Sequence, residues 1–198
     1  ETSIDETVRV LDDLVSSGKV RYIGVCNFRA WQVCKMLWTQ DRWGADPLIT
    51  VQNQYSLLKR DPEAELLGIV RDQGLGAMVY SPLAIGLLTG AYGTDATAPT
   101  ESLWGHADRI EQFKASMTPE TVAVIGTVRD IAAERGKTMT QVAVNWVLSH
   151  PEITVAISGS DTIEQLNDNL GALGWEMSTE ELQRLDSVSN AVGPEVLS

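Results

Sequence analysis

Residues 21–28 read RYIGVCNF, an apolar run that stops on the small polar pair Cys26-Asn27 just ahead of AWQVCKMLWTQ at 30–40, whose apolar positions recur at helical spacing. A short continuous apolar run flanked by helices is the pattern of a parallel strand covered on both faces. Asn27 stands where that strand gives way to a loop, so it is either a turn former or a group aimed at a ligand.

The same alternation extends outward in both directions. Upstream, Ser3 and Glu6 have the spacing of a capping box ahead of Val8, Leu11, Leu14 and Val15, and Gly18 supplies the stop. Downstream come PLITVQ (47–52), EAELLGIVRDQG (63–74), LGAMVY (75–80) and, much later, ITVAIS (153–158). Four strands alternating with helices predict an α/β fold with a parallel sheet. Thr118-Pro119 opens a helix that Gly136 ends after Arg135, Thr140 opens another that runs to Ser149, Thr162 with Gln165 caps a third, and Ser178 with Glu181 caps the last. Between Tyr80 and Met117 the rhythm is lost in a Gly-, Ala- and Thr-rich stretch, read as a long loop with 91–117 as a cofactor or lid loop.

With 198 residues, 43% of them hydrophobic, and six Trp, the chain can bury a core without staples, and one domain over 1–198 is expected. The net charge of −12 repels nucleic acid and anionic membranes, leaving a small-molecule ligand as the better partner. No run approaches the roughly 20 apolar residues of a membrane span. Cys26 and Cys34 lack metal-ligand spacing and read as reduced interior residues, which points to a cytoplasmic protein.

Ligands of such sheets sit at the carboxyl ends of the strands. Here those ends are Cys26-Asn27, Gln52-Asn53, Tyr80-Ser81 and Ser158-Gly159-Ser160. Asn27 and Gln52 carry carboxamides that donate and accept at once, matching another carboxamide, although either alone equally suits a strand end that satisfies its own backbone. Tyr80 suits a planar ring, or simply the edge of a core. In SPLAIGLLTG (81–90) small residues let backbone amides face an anion, without matching a P-loop or GxGxxG. SGSDTIEQ (158–165) leads into a helix N-terminus that favours an anion, but Asp161 and Glu164 already place negative charge there. No nucleophile-base pair and no metal set stands out; His150, before Pro151, reads as a cap, and His106 lies in the long loop.

Taken in order, these segments resemble the aldo-keto reductase superfamily, oxidoreductases built on a (β/α)8 TIM-type barrel. LDDLVSSGKVRYIGVCNF (11–28) is similar to that family's fourth helix and fifth strand, usually close to GKVRxIGVSNF. VQNQYSLL (51–58) is similar to strand six, YSPLAIGLLTGAY (80–92) to strand seven with its cofactor loop, and VAISGSDTIEQLNDNL (155–170) to strand eight and helix eight. The resemblance implies that the chain carries about the last four βα units, the C-terminal half of the barrel. It implies NADP(H) as cofactor and reduction of an aldehyde or ketone to an alcohol. Asn27 and Gln52 would hold the nicotinamide carboxamide beside Cys26, which replaces the usual Ser, and Tyr80 would lie beneath the ring. Ser81, Pro82, Leu83, Gly86 and Leu88 would follow the pyrophosphate. Ser158, Gly159, Ser160, Gln165, Asp168 and Asn169 would surround the adenosine end.

Residues 159–165 hold no Lys or Arg where the family commonly grips the 2'-phosphate, so NAD(H) stays open as the cofactor. The family's catalytic Asp, Tyr, Lys and His belong to the first four units, and no residue here inherits those roles. Alone, the chain is expected to be inactive, with a missing N-terminal half or a second copy closing the barrel. The competing expectation is a non-catalytic half-barrel or nucleotide-binding scaffold that self-associates.

Overall fold

The computed structural model describes residues 2–92, 103–107 and 109–193. Backbone packing distinguishes two compact units: Glu1–Gln54 with Pro62–Val79 and Glu152–Val155, and Tyr55–Asp61 with Tyr80–Pro151 and Ala156–Ser198.

The first unit alternates α1 (Ile4–Ser16), β1 (Gly24–Cys26), α2 (Ala30–Trp43), β2 (Thr50–Gln54), α3 (Leu66–Gln73) and β3 (Gly76–Tyr80), and also takes the start of β4 (Ile153–Ile157). The strands form one sheet in the order β1-β2-β3-β4. β1 runs parallel to β2 in the register Gly24↔Thr50, Val25↔Val51, Cys26↔Gln52. Gly24 makes that register possible, since a Cβ there would lie 2.8 Å from the Thr50 carbonyl oxygen.

Local chemistry sets the helix ends. Ser3 Oγ accepts from the Glu6 amide at 3.1 Å, and α1 stops where Gly18 turns left-handed at φ +71°. In α2 the fully buried Gln40 donates from Nε2 to the Asp46 carbonyl at 2.8 Å and accepts at Oε1 from the Leu48 amide at 3.2 Å, which fixes the approach to β2. Arg71 on α3 pairs with Glu152 at the entry to β4.

Burial in the sheet alternates, contrary to the expectation of strands covered on both faces. Val25, Val51, Ala77 and Val79 are buried, whereas Cys26 and Val155 are exposed. Cys26 and Cys34 are free thiols at the surface, not interior residues. The physical reason for Cys26 is the two-residue period of the strand, which turns its side chain away from the face that buries Val25.

In the second unit, α5 (Pro119–Arg135) packs against α6 (Met139–Leu148) and α8 (Thr179–Ser189), and α6 packs against α7 (Ile163–Leu170). The core gathers Val124, Ile125, Val128, Ile131, Trp146 and Leu185. Tyr55 stacks on Trp146 with ring centroids 5.4 Å apart, His150 meets Trp146 edge-on at 4.6 Å, and the Trp146 indole N–H donates to Asp186 Oδ1 at 3.1 Å. His150, expected as a cap, sets its Nδ1 3.0 Å from the Trp146 carbonyl in the last turn of α6 and also joins the aromatic cluster.

Thr138, not Thr140, caps α6: its hydroxyl accepts from the Gln141 amide while Gln141 Oε1 accepts from the Thr138 amide. Both threonines precede the apolar run, and the capping-box spacing to Gln141 decides between them. Arg135 grips Glu181 in α8 through bonds of 2.5 and 2.6 Å, which hold the Glu181 carboxyl down at about 2.

The stretch read as a loop after Tyr80 contains short 3-10 turns at Leu87–Thr89 and Leu103–Gly105 and a helix, α4 (Ile110–Ser116). Aromatic anchors order it. Trp104 and Phe113 are fully buried with ring centroids 5.8 Å apart, and the Trp104 indole N–H donates to the Ile85 carbonyl at 2.8 Å. Of the 91–117 segment, residues 93–102 and 108 lie outside the described residues.

Candidate functional site

Two groups of residues gather at strand ends, one in each unit. In the first, the parallel register sets Cys26 beside Gln52, with the thiol 3.5 Å from Gln52 Oε1, and the Asn27 amide donates to the Gln52 carbonyl at 2.8 Å. Asn27 is left-handed at φ +57°, a region Asn tolerates better than most residues. It is therefore both a turn former and one of a pair of carboxamides at adjacent strand ends. Asn53 donates from Nδ2 to the Phe28 carbonyl at 3.4 Å.

In the second unit a cleft of about 860 Å³ opens between the segment that follows β3 and the loop that leads into α7. Its volume falls in the roughly 300–1,000 Å³ range of small-molecule sites. One wall is Tyr80, Ser81, Pro82, Leu83 and Gly86; the other is Ser158, Gly159, Gln165, Asp168 and Asn169. The cleft thus brings together ten of the residues singled out from sequence. Two others stand apart. Leu88 is fully buried in the core, and Ser160 is exposed and not among the lining residues, with its Oγ accepting from Asn169 Nδ2 at 2.8 Å.

The first wall is a strained turn. Ser81, Ala84 and Ile85 all adopt left-handed backbone, at φ +55°, +51° and +56°, and for a β-branched residue such as Ile85 that is a true outlier. Such strain of roughly 1–3 kcal/mol per residue persists only where the surroundings over-determine it, and it concentrates at ligand sites. Here the turn is held by the Ala84 amide on the Ser81 carbonyl (2.9 Å), the Gly86 amide on the Leu83 carbonyl (3.0 Å) and Trp104 on Ile85.

The second wall is a hydrogen-bonded polar surface. Asp168 Oδ1 accepts from Thr138 Oγ1 at 2.7 Å and from Gln141 Nε2 at 3.0 Å. Gln165 Oε1 accepts from the Asp161 amide at 2.7 Å, and Asn169 also donates to the Gly159 carbonyl at 3.3 Å. A side chain at Gly171 would collide with the Gln141 carboxamide, so that glycine keeps Gln141 on Asp168. Gly159 faces open space, and Ser158 Oγ is buried with no hydrogen-bond partner among the described residues. An orphaned hydroxyl beside an unfilled cradle is what a polar ligand would complete, so the cleft fits a group rich in hydroxyls and phosphate oxygens.

Sequence reasoning missed Ile85, Thr89, Gly90, Ala91, Tyr92, Thr140 and Ile157, which also line the cleft, and weighed Asp161 only as a charge. The segment 81–92 has no periodicity to place its residues. Thr140, expected at the helix start, is the second residue of α6 and lines the cleft. Ile157 could have been found, since as the last residue of β4 it immediately precedes Ser158.

The model of the Aldo/keto reductase family matches residues 1–190. The chain is 35% identical over 195 residues to the uncharacterized oxidoreductase YrpG of Bacillus subtilis, covering 98% of this chain and 56% of that protein. It is 30% identical over 196 residues to versiconal hemiacetal acetate reductase of Aspergillus parasiticus, covering 98% and 56%. It is 35% identical over 179 residues to the chloroplastic pyridoxal reductase of Arabidopsis thaliana, covering 89% and 46%. The chain spans about half the length of the curated relatives it matches. Among the described residues, no helix is long and apolar enough to cross a membrane.

Proposed function

The chain belongs to the aldo/keto reductase family, and from that premise we propose that it is the part of a carbonyl reductase of (β/α)8 type that holds the nicotinamide dinucleotide. The observation that carries this reading is the second unit's cleft, where a strained small-residue turn faces a wall of amide, hydroxyl and carboxylate groups. The turn at Ser81, Leu83 and Gly86 takes the pyrophosphate, where backbone amides meet an anion without a basic side chain. The wall from Ser158 to Asn169, with Ser160 hydrogen-bonded to Asn169, takes the adenosine end. Tyr80, at the edge of the cleft, would take the nicotinamide ring, and the family resemblance assigns the carboxamide to Asn27 and Gln52.

When bound, the dinucleotide supplies a hydride to the carbonyl carbon. The residues of this chain bind and orient it. The proton for the carbonyl oxygen comes from the tyrosine that the resemblance places among the first four βα units, and the product is an alcohol. A small aldehyde or ketone as substrate is supported by the names of the relatives, which include reductases of pyridoxal and of a hemiacetal ester. Two free surface thiols suit a reducing compartment such as the cytoplasm. The exposed stripe Ile163, Leu166 and Leu170 on α7 supports packing of that helix against those further units.

The test is a titration of the 198-residue chain with NADH and NADPH, followed by tryptophan fluorescence. Saturable quenching by either nucleotide, weakened in Tyr80→Ala and in Gln52→Ala while the fold is retained, is the expected result. A flat titration with both nucleotides on folded protein refutes the reading.

A further inference from the structure

Among the described residues the cleft carries charge of one sign only. Asp161 and Asp168 both line it, and no Lys, Arg or His is among its lining residues. The cations that flank the second wall in sequence are engaged elsewhere: Arg184 pairs with Glu134 at 2.8 Å, and Lys137 holds its ammonium 5.2 Å from the centre of the Trp175 ring. Asp168 is a built feature of the wall, since the Thr138 hydroxyl and the Gln141 carboxamide both donate to its Oδ1. Two donors on one oxygen fix where that carboxylate sits. Asp161 is exposed, and its backbone is tied to Gln165.

From this charge pattern, and resting on the dinucleotide reading above, we infer that the cleft selects the non-phosphorylated dinucleotide, NAD(H), and that Asp161 and Asp168 set the choice. The two cofactors differ by one phosphate monoester on the adenosine ribose, which carries about −1.5 to −2 charge at pH 7. Held against this wall, that phosphate meets two carboxylates and no counter-ion, and like charges facing each other in a partly desolvated site repel. A ribose that keeps its hydroxyl meets the same carboxylates as hydrogen-bond acceptors. One feature therefore repels one cofactor and recognises the other, which is how a site achieves discrimination.

Calorimetric titration of the chain with NADH and with NADPH, at about 0.1 M salt, tests this directly. NADH is expected to bind roughly tenfold or more tightly, and the margin is expected to shrink as salt rises. Asp161→Arg should narrow or reverse the ratio, and Asp161→Asn should move it less in the same direction; both changes fall on an exposed side chain. Equal or tighter binding of NADPH overturns the inference and leaves the dinucleotide reading standing. A ratio unmoved by Asp161→Arg also overturns it, because the carboxylate charge would not be setting the choice. Binding of neither nucleotide overturns both.

Discussion

Thr138 Oγ1 donates a 2.7 Å hydrogen bond to Asp168 Oδ1 while accepting one of 3.1 Å from the Gln141 amide, so the cap of α6 and a carboxylate of the cleft share one hydroxyl. Helix stability and site geometry are coupled at that atom. Thr138→Val keeps the shape and removes both bonds. It should lower stability by about 1 kcal/mol, the usual worth of an N-cap, in chemical denaturation. Thr138→Ser should restore that stability.

Gly90 and Gly159 both border the cleft, and they should respond in opposite ways. At Gly90, φ is +81° and a Cβ would lie 2.7 Å from Met139 Sδ, so Gly90→Ala should cost about 1–3 kcal/mol of stability. At Gly159 a Cβ meets nothing within 4 Å. Gly159→Ala should therefore stay within about 0.5 kcal/mol of the parent in thermal unfolding, yet weaken dinucleotide binding by filling the space the ligand takes.

The Arg135–Glu181 pair makes a prediction about pH. Glu181 is depressed in the folded protein, from an ordinary 4.5 to about 2, first by its hydrogen bonds to Arg135. A depressed carboxyl stabilises the fold fully above its unfolded value and loses that contribution as the pH falls through the folded one. Glu181→Gln should cost about 1.5–3 kcal/mol at pH 7. The gap to the parent should shrink as the pH is lowered from about 4.5 towards 2, as read from urea midpoints across that range.

Much of this was legible in the residues. Gly136 after Arg135 and the Ser178–Glu181 spacing marked helix ends that the structure keeps, because caps are local chemistry. The four strands were visible as apolar runs, but not the exposure of Cys26, which depends on what covers each face of the sheet. The cleft was half legible. Strand ends such as Tyr80 and Ser158 follow from topology, whereas Thr89 and Tyr92 are brought to the cleft by a turn whose left-handed residues Ala84 and Ile85 carry no sequence signal for that backbone. Trp104, nineteen residues beyond Ile85, holds that turn through a long-range contact no local pattern encodes.

The central claim is that the dinucleotide seats in the second unit's cleft, and amide NMR of the labelled chain titrated with NADH tests it most directly. The account predicts saturable shifts concentrated at residues 81–90 and 158–169, with Gly86 and Gly159 among the largest. Saturable shifts confined to other surfaces, such as α2 around Trp31 and Trp38, with residues 81–90 and 158–169 unmoved, would contradict it.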